Sequence, residues 1–330
     1  MRTILLTACS LAALSVPVVA NTLVVGNKFD GTVSFIDLDS GKEITRSPAG
    51  GSPHEVAISP DGKTAVVVSY KEEGYVGEEL NLFDVATGNL QKTISIAPHR
   101  APHGIGWIGN TNSVIATTEE TRDVIRVDLG EGRVSASATT DQIGSHLLAL
   151  SPDFSTSYVT SRGSDTVSVI DVDLMELLET VAAGQGPEAV DVSPDGRHLW
   201  VGNNLSRDII VFDTGSMEQV ARIDAGFLPI RVRFHPDGGS VAVADLKGDR
   251  VVVYDAASRE MVSEIDLAAG GLKTPASLLF APDGSALFVG AQSTGNVAEI
   301  DVGTWSLKRV LDAGDGADGL GYSDIEIAVS

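Results

Sequence analysis

Asp165-Thr166-Val167-Ser168-Val169-Ile170-Asp171 and Gly186-Pro187-Glu188-Ala189-Val190-Asp191-Val192-Ser193-Pro194-Asp195-Gly196 decide how this chain folds. The first alternates polar and apolar residues with the period of a half-buried strand and stops at an aspartate. The second is another strand that runs into Pro-Asp-Gly, the chemistry of a tight turn between strands. Both patterns recur along the chain. Strand-end aspartates stand at Asp37, Asp84, Asp128, Asp171, Asp213, Asp255 and Asp301, with steps of 47, 44, 43, 42, 42 and 46 residues. Relatives of Ser-Pro-Asp-Gly occur at Ser59, Ser151, Ser193, His235 and Ala281, with a degenerate copy at Gly109-Asn110-Thr111-Asn112. Seven copies at that spacing fit the four-stranded blades of a β-propeller.

Each blade therefore reads A strand, Pro-Asp-Gly turn, B strand, loop, C strand ending in Asp, turn, D strand. The first full A strand starts at Pro53, so the segments before it supply B, C and D strands without an A strand. After the seventh blade, Ala317-Asp318-Gly319-Leu320-Gly321-Tyr322-Ser323 is an A strand with no followers. The expected fold is all-β: a seven-bladed propeller of four-stranded antiparallel blades. Its first blade is closed three-plus-one by the C-terminal strand, which leaves no open ring end. No linker or composition break interrupts residues 21–330, so they form one expected domain.

These stretches resemble the YVTN-type β-propeller repeat of exported proteins, and the resemblance covers nearly the whole chain after residue 20. It implies the propeller fold and places the chain beside YncE-like and lactonase-like exported propellers. It is weak on function, because such propellers host unrelated tasks.

The N-terminus bears on location. Arg2 precedes an apolar run from Ile4 through Ala20 that ends in Val18-Val19-Ala20. This is the form of a secretory signal peptide cleaved near Ala20, and it predicts a periplasmic or secreted protein. Leu6-Thr7-Ala8-Cys9 has the look of a lipidation box, yet the apolar run continues well past Cys9. Cys9 is the only cysteine. Cleavage at Ala20 therefore excludes disulfides, thiolate chemistry and cysteine-based zinc sites. No later stretch has the apolar length of a membrane span.

With Arg2 removed, 22 basic residues face 45 acidic ones, a charge of −23. That balance argues against nucleic acid or an anionic membrane as partner. No nucleotide-binding glycine loop, Gly-x-Ser-x-Gly elbow, Cys-x-x-Cys-His haem site or EF-hand calcium loop is present. Neither a nucleotide nor haem is expected.

The innermost strand of a propeller blade lines the central channel, so the residue opening each A strand is the natural ligand position. Counting back six from the turn proline, or from its substitute, gives Asp318, His54, His103, His146, Glu188, Ile230 and Ala276 in blade order. Three of the chain's six histidines fall on this single ring, in consecutive blades, with two carboxylates flanking them. Such a set suits a divalent transition metal of unspecified identity held by His54, His103 and His146 with Glu188 and Asp318. It equally suits metal-free acid–base chemistry by His54, His103 or His146, with Glu188 orienting and Arg231 holding an anion. Glu55, Tyr70, Glu119, Arg162, Asn203 and Arg231 are the expected rim. The long Tyr70–Glu79 segment and the other B–C loops are expected to roof the site. His99 is a rim residue at most. His198 and His235 read as structural, as do the strand-end aspartates.

Three functions are consistent with this: a binding propeller that holds a metal or small ligand at the channel mouth, a lactone hydrolase or lyase using the same ring, or a scaffold for protein partners. Convergent histidines favour the first two.

Overall fold

The computed structural model describes residues 21–328. The signal-peptide prediction and Cys9 lie outside the described residues. The described residues form seven four-stranded sheets, each with neighbours antiparallel, and one small two-stranded hairpin, Lys71–Glu72 with Tyr75–Val76, in the long loop of blade 2. In blade 2 the order is Pro53–Ile58, Thr64–Ser69, Glu79–Asp84 and Leu90–Ser95 from the inside out. Blade 1 combines Thr22–Asn27, Thr32–Asp37 and Lys42–Pro48 with the C-terminal Ala317–Ser323, which pairs Thr22 with Ser323 and Leu23 with Tyr322. The three-plus-one closure is thus present. Apart from strands, the regular structure among the described residues is one 3₁₀ turn at Ala268–Gly270.

Apolar residues on facing sheets hold neighbouring blades together. Val66, Val68 and Leu80 of blade 2 pack with Val114, Ala116 and Ile125 of blade 3, all fully buried. Burying such side chains stabilises by about 1.5–3 kcal/mol each, so the inter-blade layers dominate the fold's stability. The outermost strands are largely exposed, as in Glu176–Ala182.

The repeat's polar markers are local devices. Asp37 Oδ1 accepts from the Ser40 amide at 2.7 Å, and Asp301 Oδ1 does the same for the Thr304 amide at 2.8 Å. Ser59 Oγ donates to Asp61 Oδ1 at 2.7 Å and accepts from the Thr64 amide at 2.9 Å, locking the Pro-Asp-Gly turn. His235 takes the serine's place, with Nδ1 2.7 Å from Asp237 Oδ1. The structural reading of these residues stands.

One irregularity positions the site. In each blade the A strand has one residue more than its partner near its start. Pairing steps from Pro53↔Ser69 to Val56↔Val67 in blade 2, and from Pro187↔Asn203 to Ala189↔Gly202 in blade 5. The other five blades shift at the equivalent place. A β-bulge leaves its extra residue outside the ladder and re-aims its side chain. Here that residue lies at or beside the ring position.

Candidate active site at the channel mouth

All seven ring positions line one cavity of about 260 Å³: Asp318, His54, His103, His146, Glu188, Ile230 and Ala276. The histidine side of the ring is tightly packed. Ring centroids lie 4.5 Å apart for His54 and His103 and 3.6 Å apart for His103 and His146. Glycine after the ring residue permits this approach. A Cβ on Gly319 would meet the His54 carbonyl oxygen at 1.8 Å, and one on Gly104 would meet the His146 carbonyl oxygen at 2.9 Å.

A second ring lies above the first. It consists of the residue that follows the B strand in each blade: Lys28, Tyr70, Glu119, Arg162, Asn204, Leu246 and Gln292. Most of its members reach the first-ring residue of the next blade. Lys28 Nζ is 3.5 Å from His54 Nε2. Tyr70 stands edge-on to His103 at 4.5 Å between centroids. Glu119 Oε2 meets His146 Nδ1 at 2.7 Å, and Arg162 NH1 donates to Glu188 Oε2 at 3.3 Å. Gln292 Nε2 donates to Asp318 Oδ2 at 2.7 Å. Asn204 turns back and donates to Glu188 Oε2 at 2.5 Å.

The chain matches the family described as "Lactonase, 7-bladed beta-propeller" over residues 18–310. It belongs to that family. Asp318 and its strand lie beyond the matched segment. Among solved structures the chain is similar to Kuenenia stuttgartiensis Hydrazine Synthase, with a TM-score of 0.74 and 18% identity across 85% of this chain and 92% of that one. At that identity the likeness concerns the fold alone. No curated protein matches the chain.

Electrostatics divide this lactonase-family site in two. On one side His146 sits between carboxylates: Nδ1 faces Glu119, and Nε2 lies 3.2 Å from Glu188 Oε1. Both ring nitrogens of His146 are thus occupied by carboxylate oxygens and neither faces open space. Burial pushes both carboxyls up, but the bond and charge of His146 overcome it, helped by Arg162 and, for Glu119, Lys71. Glu119 falls far below the usual carboxylate range and Glu188 falls to about 2. Tyr70 donates to Glu119 Oε2 at 2.7 Å, and burial followed by that carboxylate pushes the phenol upward.

On the other side His54 and His103 are buried, and the Nδ1 of each has no hydrogen-bond partner. Burial, and then the cations around them, hold them neutral. His54 is lowered to about 3 against the opposing pull of Asp318, and His103 is held well below its usual value. Arg231 is anchored by its Nε to the Ala276 carbonyl at 2.8 Å and pairs with Glu55; Asp318 Oδ1 lies 3.8 Å from its NH2. Lys28 makes no ion pair with a carboxylate among the described residues.

The structure gathers His54, His103, His146, Glu188, Asp318, Tyr70, Arg162 and Arg231 as read from the sequence. Three rim positions differ. Glu119 stands behind His146 rather than on the cavity wall. Glu55 lies below Arg231 and lines the deeper part of the channel, a cavity of about 230 Å³. Asn203 is fully buried and structural: it accepts from the Gly184 amide at 3.1 Å and donates to Asp208 Oδ1 at 2.8 Å. Asn27 does the same work in blade 1, accepting from Gly314. The amide that reaches the ring is the next residue, Asn204, through its bond to Glu188. Lys28, Leu246 and Gln292 were missed as wall residues, although a count from the B-strand ends finds them. Among the described residues, no three His, Asp or Glu side chains are arranged to hold a metal ion. The partners of His146 give the reason on its side, since both its nitrogens already face carboxylates.

Proposed function

We propose that the channel mouth is a hydrolytic site that opens a small lactone by histidine acid–base chemistry. One observation carries this reading. Two buried imidazoles, His54 and His103, which burial holds well below their usual pKa, stand side by side in the wall of a small polar cavity. A neutral imidazole can accept a proton from water as the water oxygen attacks the lactone carbonyl. His103, between His54 and His146, is the residue assigned this role. The negative charge that develops on the carbonyl oxygen faces Lys28 and Arg231 in a site shielded from bulk solvent. That same charge makes protonation of His103 easier at the moment it is needed. The ring C–O bond then breaks, and the leaving alkoxide takes the proton back from His103. Water and lactone become one hydroxy acid, with no net proton gained or lost by the protein. Glu119 and Glu188 hold the His146 ring in place beside this step.

A second reading uses the same side chains as ligands for a divalent transition metal at His54, His103 and His146. The unpartnered Nδ1 atoms of His54 and His103 favour it, and the two carboxylates on His146 oppose it. Elemental analysis of the purified protein, together with a lactone and ester panel, separates the two. The hydrolytic reading expects turnover that survives chelation and is lost in the His54→Ala, His103→Ala, His146→Ala triple variant. A stoichiometric metal that disappears in that variant supports the second reading. Turnover that ignores the three substitutions overturns the hydrolytic reading, and no bound metal under any loading condition overturns the second.

A further inference from the structure

Next to the mouth cavity, between the loops of blades 4 and 5, lies an apolar groove of about 510 Å³. Ile143, Leu205 and Leu228 form its apolar walls, and its inner wall is Arg162 and Glu188, which also line the mouth cavity. Ile143 and Leu205 are 54% and 73% exposed, far more than a core role requires. Single exposed apolar residues are ordinary; a cluster that shares a wall with a polar cavity is not. Both side chains are seated on bare backbone. A Cβ on Gly163 would come within 2.6 Å of Ile143 Cγ2, and one on Gly186 within 2.8 Å of Leu205 Cγ. Their loops are pinned as well. The Gly163 amide donates to the Ile143 carbonyl at 2.9 Å, and the Leu205 amide donates to the Gln185 carbonyl at 3.1 Å.

From this continuity we infer that the substrate is amphipathic: a lactone whose polar ring enters the mouth cavity and whose alkyl chain lies in the Ile143–Leu205–Leu228 groove. The inference rests on the hydrolytic reading for the word lactone, but the groove itself does not depend on turnover. An alkyl chain there removes apolar surface from water on both partners, while the Arg162–Glu188 pair marks where the polar head must begin. A freely soluble, fully polar lactone would leave the groove unused.

Two series of probes test this: γ-butyrolactones with linear alkyl chains of increasing length, and the matching lactams, which resist hydrolysis. Each methylene placed in the groove should raise kcat/KM for the lactones, and calorimetric affinity for the lactams, about two- to fourfold. Leu205→Ser and Ile143→Ser should flatten both dependences. Lactam affinity that grows with chain length and flattens in Leu205→Ser, with no lactone turned over, upholds the groove and retires the hydrolytic reading. Turnover that ignores chain length, an equal slope in wild type and both variants, or no lactam binding at all overturns the groove.

Discussion

His54 and His103 stay neutral in the folded protein but take up protons below about pH 6.5 once the chain unfolds. Below that pH the unfolded state binds more protons, so stability falls as pH drops. For His54 the loss continues down to about 3, its folded value. Glu188, lowered to about 2, adds its own loss only below the ordinary carboxylate range. Between pH 7 and 5 the decline is therefore assigned to the histidines. The urea midpoint should fall over that interval, and the fall should shrink in a His54→Gln, His103→Gln double variant; equal declines in the two proteins contradict the assignment. On the other side of the ring, Glu119 serves His146, Tyr70 and Lys71 at once. Glu119→Gln keeps the shape and removes the charge, and should cost about 2–3 kcal/mol in chemical denaturation. A change below 0.5 kcal/mol, on the scale of an ordinary surface substitution, would show that His146 is held by Glu188 alone.

At the scale of the strand, the bulge and the glycine beside it decide whether the histidines can stack. A Cβ on Gly104 meets backbone atoms of blade 4, at 2.8 Å from the Leu148 nitrogen. Backbone cannot swing aside as a side chain can. Gly104→Ala should therefore part the A strands of blades 3 and 4, at about 1–3 kcal/mol. Thermal unfolding checks the loss, and an unchanged midpoint would mean the strands can separate freely. The A-strand ring was legible in the sequence because the Pro-Asp-Gly turn gives a fixed point from which to count. The second ring was less so. Its members are Lys, Tyr, Glu, Arg, Asn, Leu and Gln, with no shared chemistry, and only the end of the B strand marks their place. That is how Asn203 was mistaken for Asn204. The pairing register puts Asn203 opposite Pro187, as the last residue of the ladder, and sends its amide into the blade. Pairings such as Glu119 with His146 were not legible, because they depend on how one blade is rotated against the next.

For the whole molecule, ring closure rests on Ala317–Ser323. The architecture was legible because each blade repeats the same markers, and the lone A strand at the end of the chain had one vacancy to fill. The same strand brings Asp318 to the site, where it meets His54 Nε2 at 3.5 Å. A chain ending at residue 316 would expose the inner edge of Thr22–Asn27, a ready template for pairing with another chain. It should unfold at lower temperature and associate, as seen by scanning calorimetry and size exclusion. A monomer with the parent midpoint would refute closure by this strand. The propeller gathers scattered histidines into one mouth, where the proposed reaction has His103 move a proton. The most direct test measures kcat/KM for γ-butyrolactone hydrolysis in the wild type, in His103→Asn, and in His198→Asn as a histidine control away from the mouth. His103→Asn should lose about 100-fold or more, the scale of a missing general base, with the control unchanged. Equal rates in the wild type and His103→Asn would contradict it.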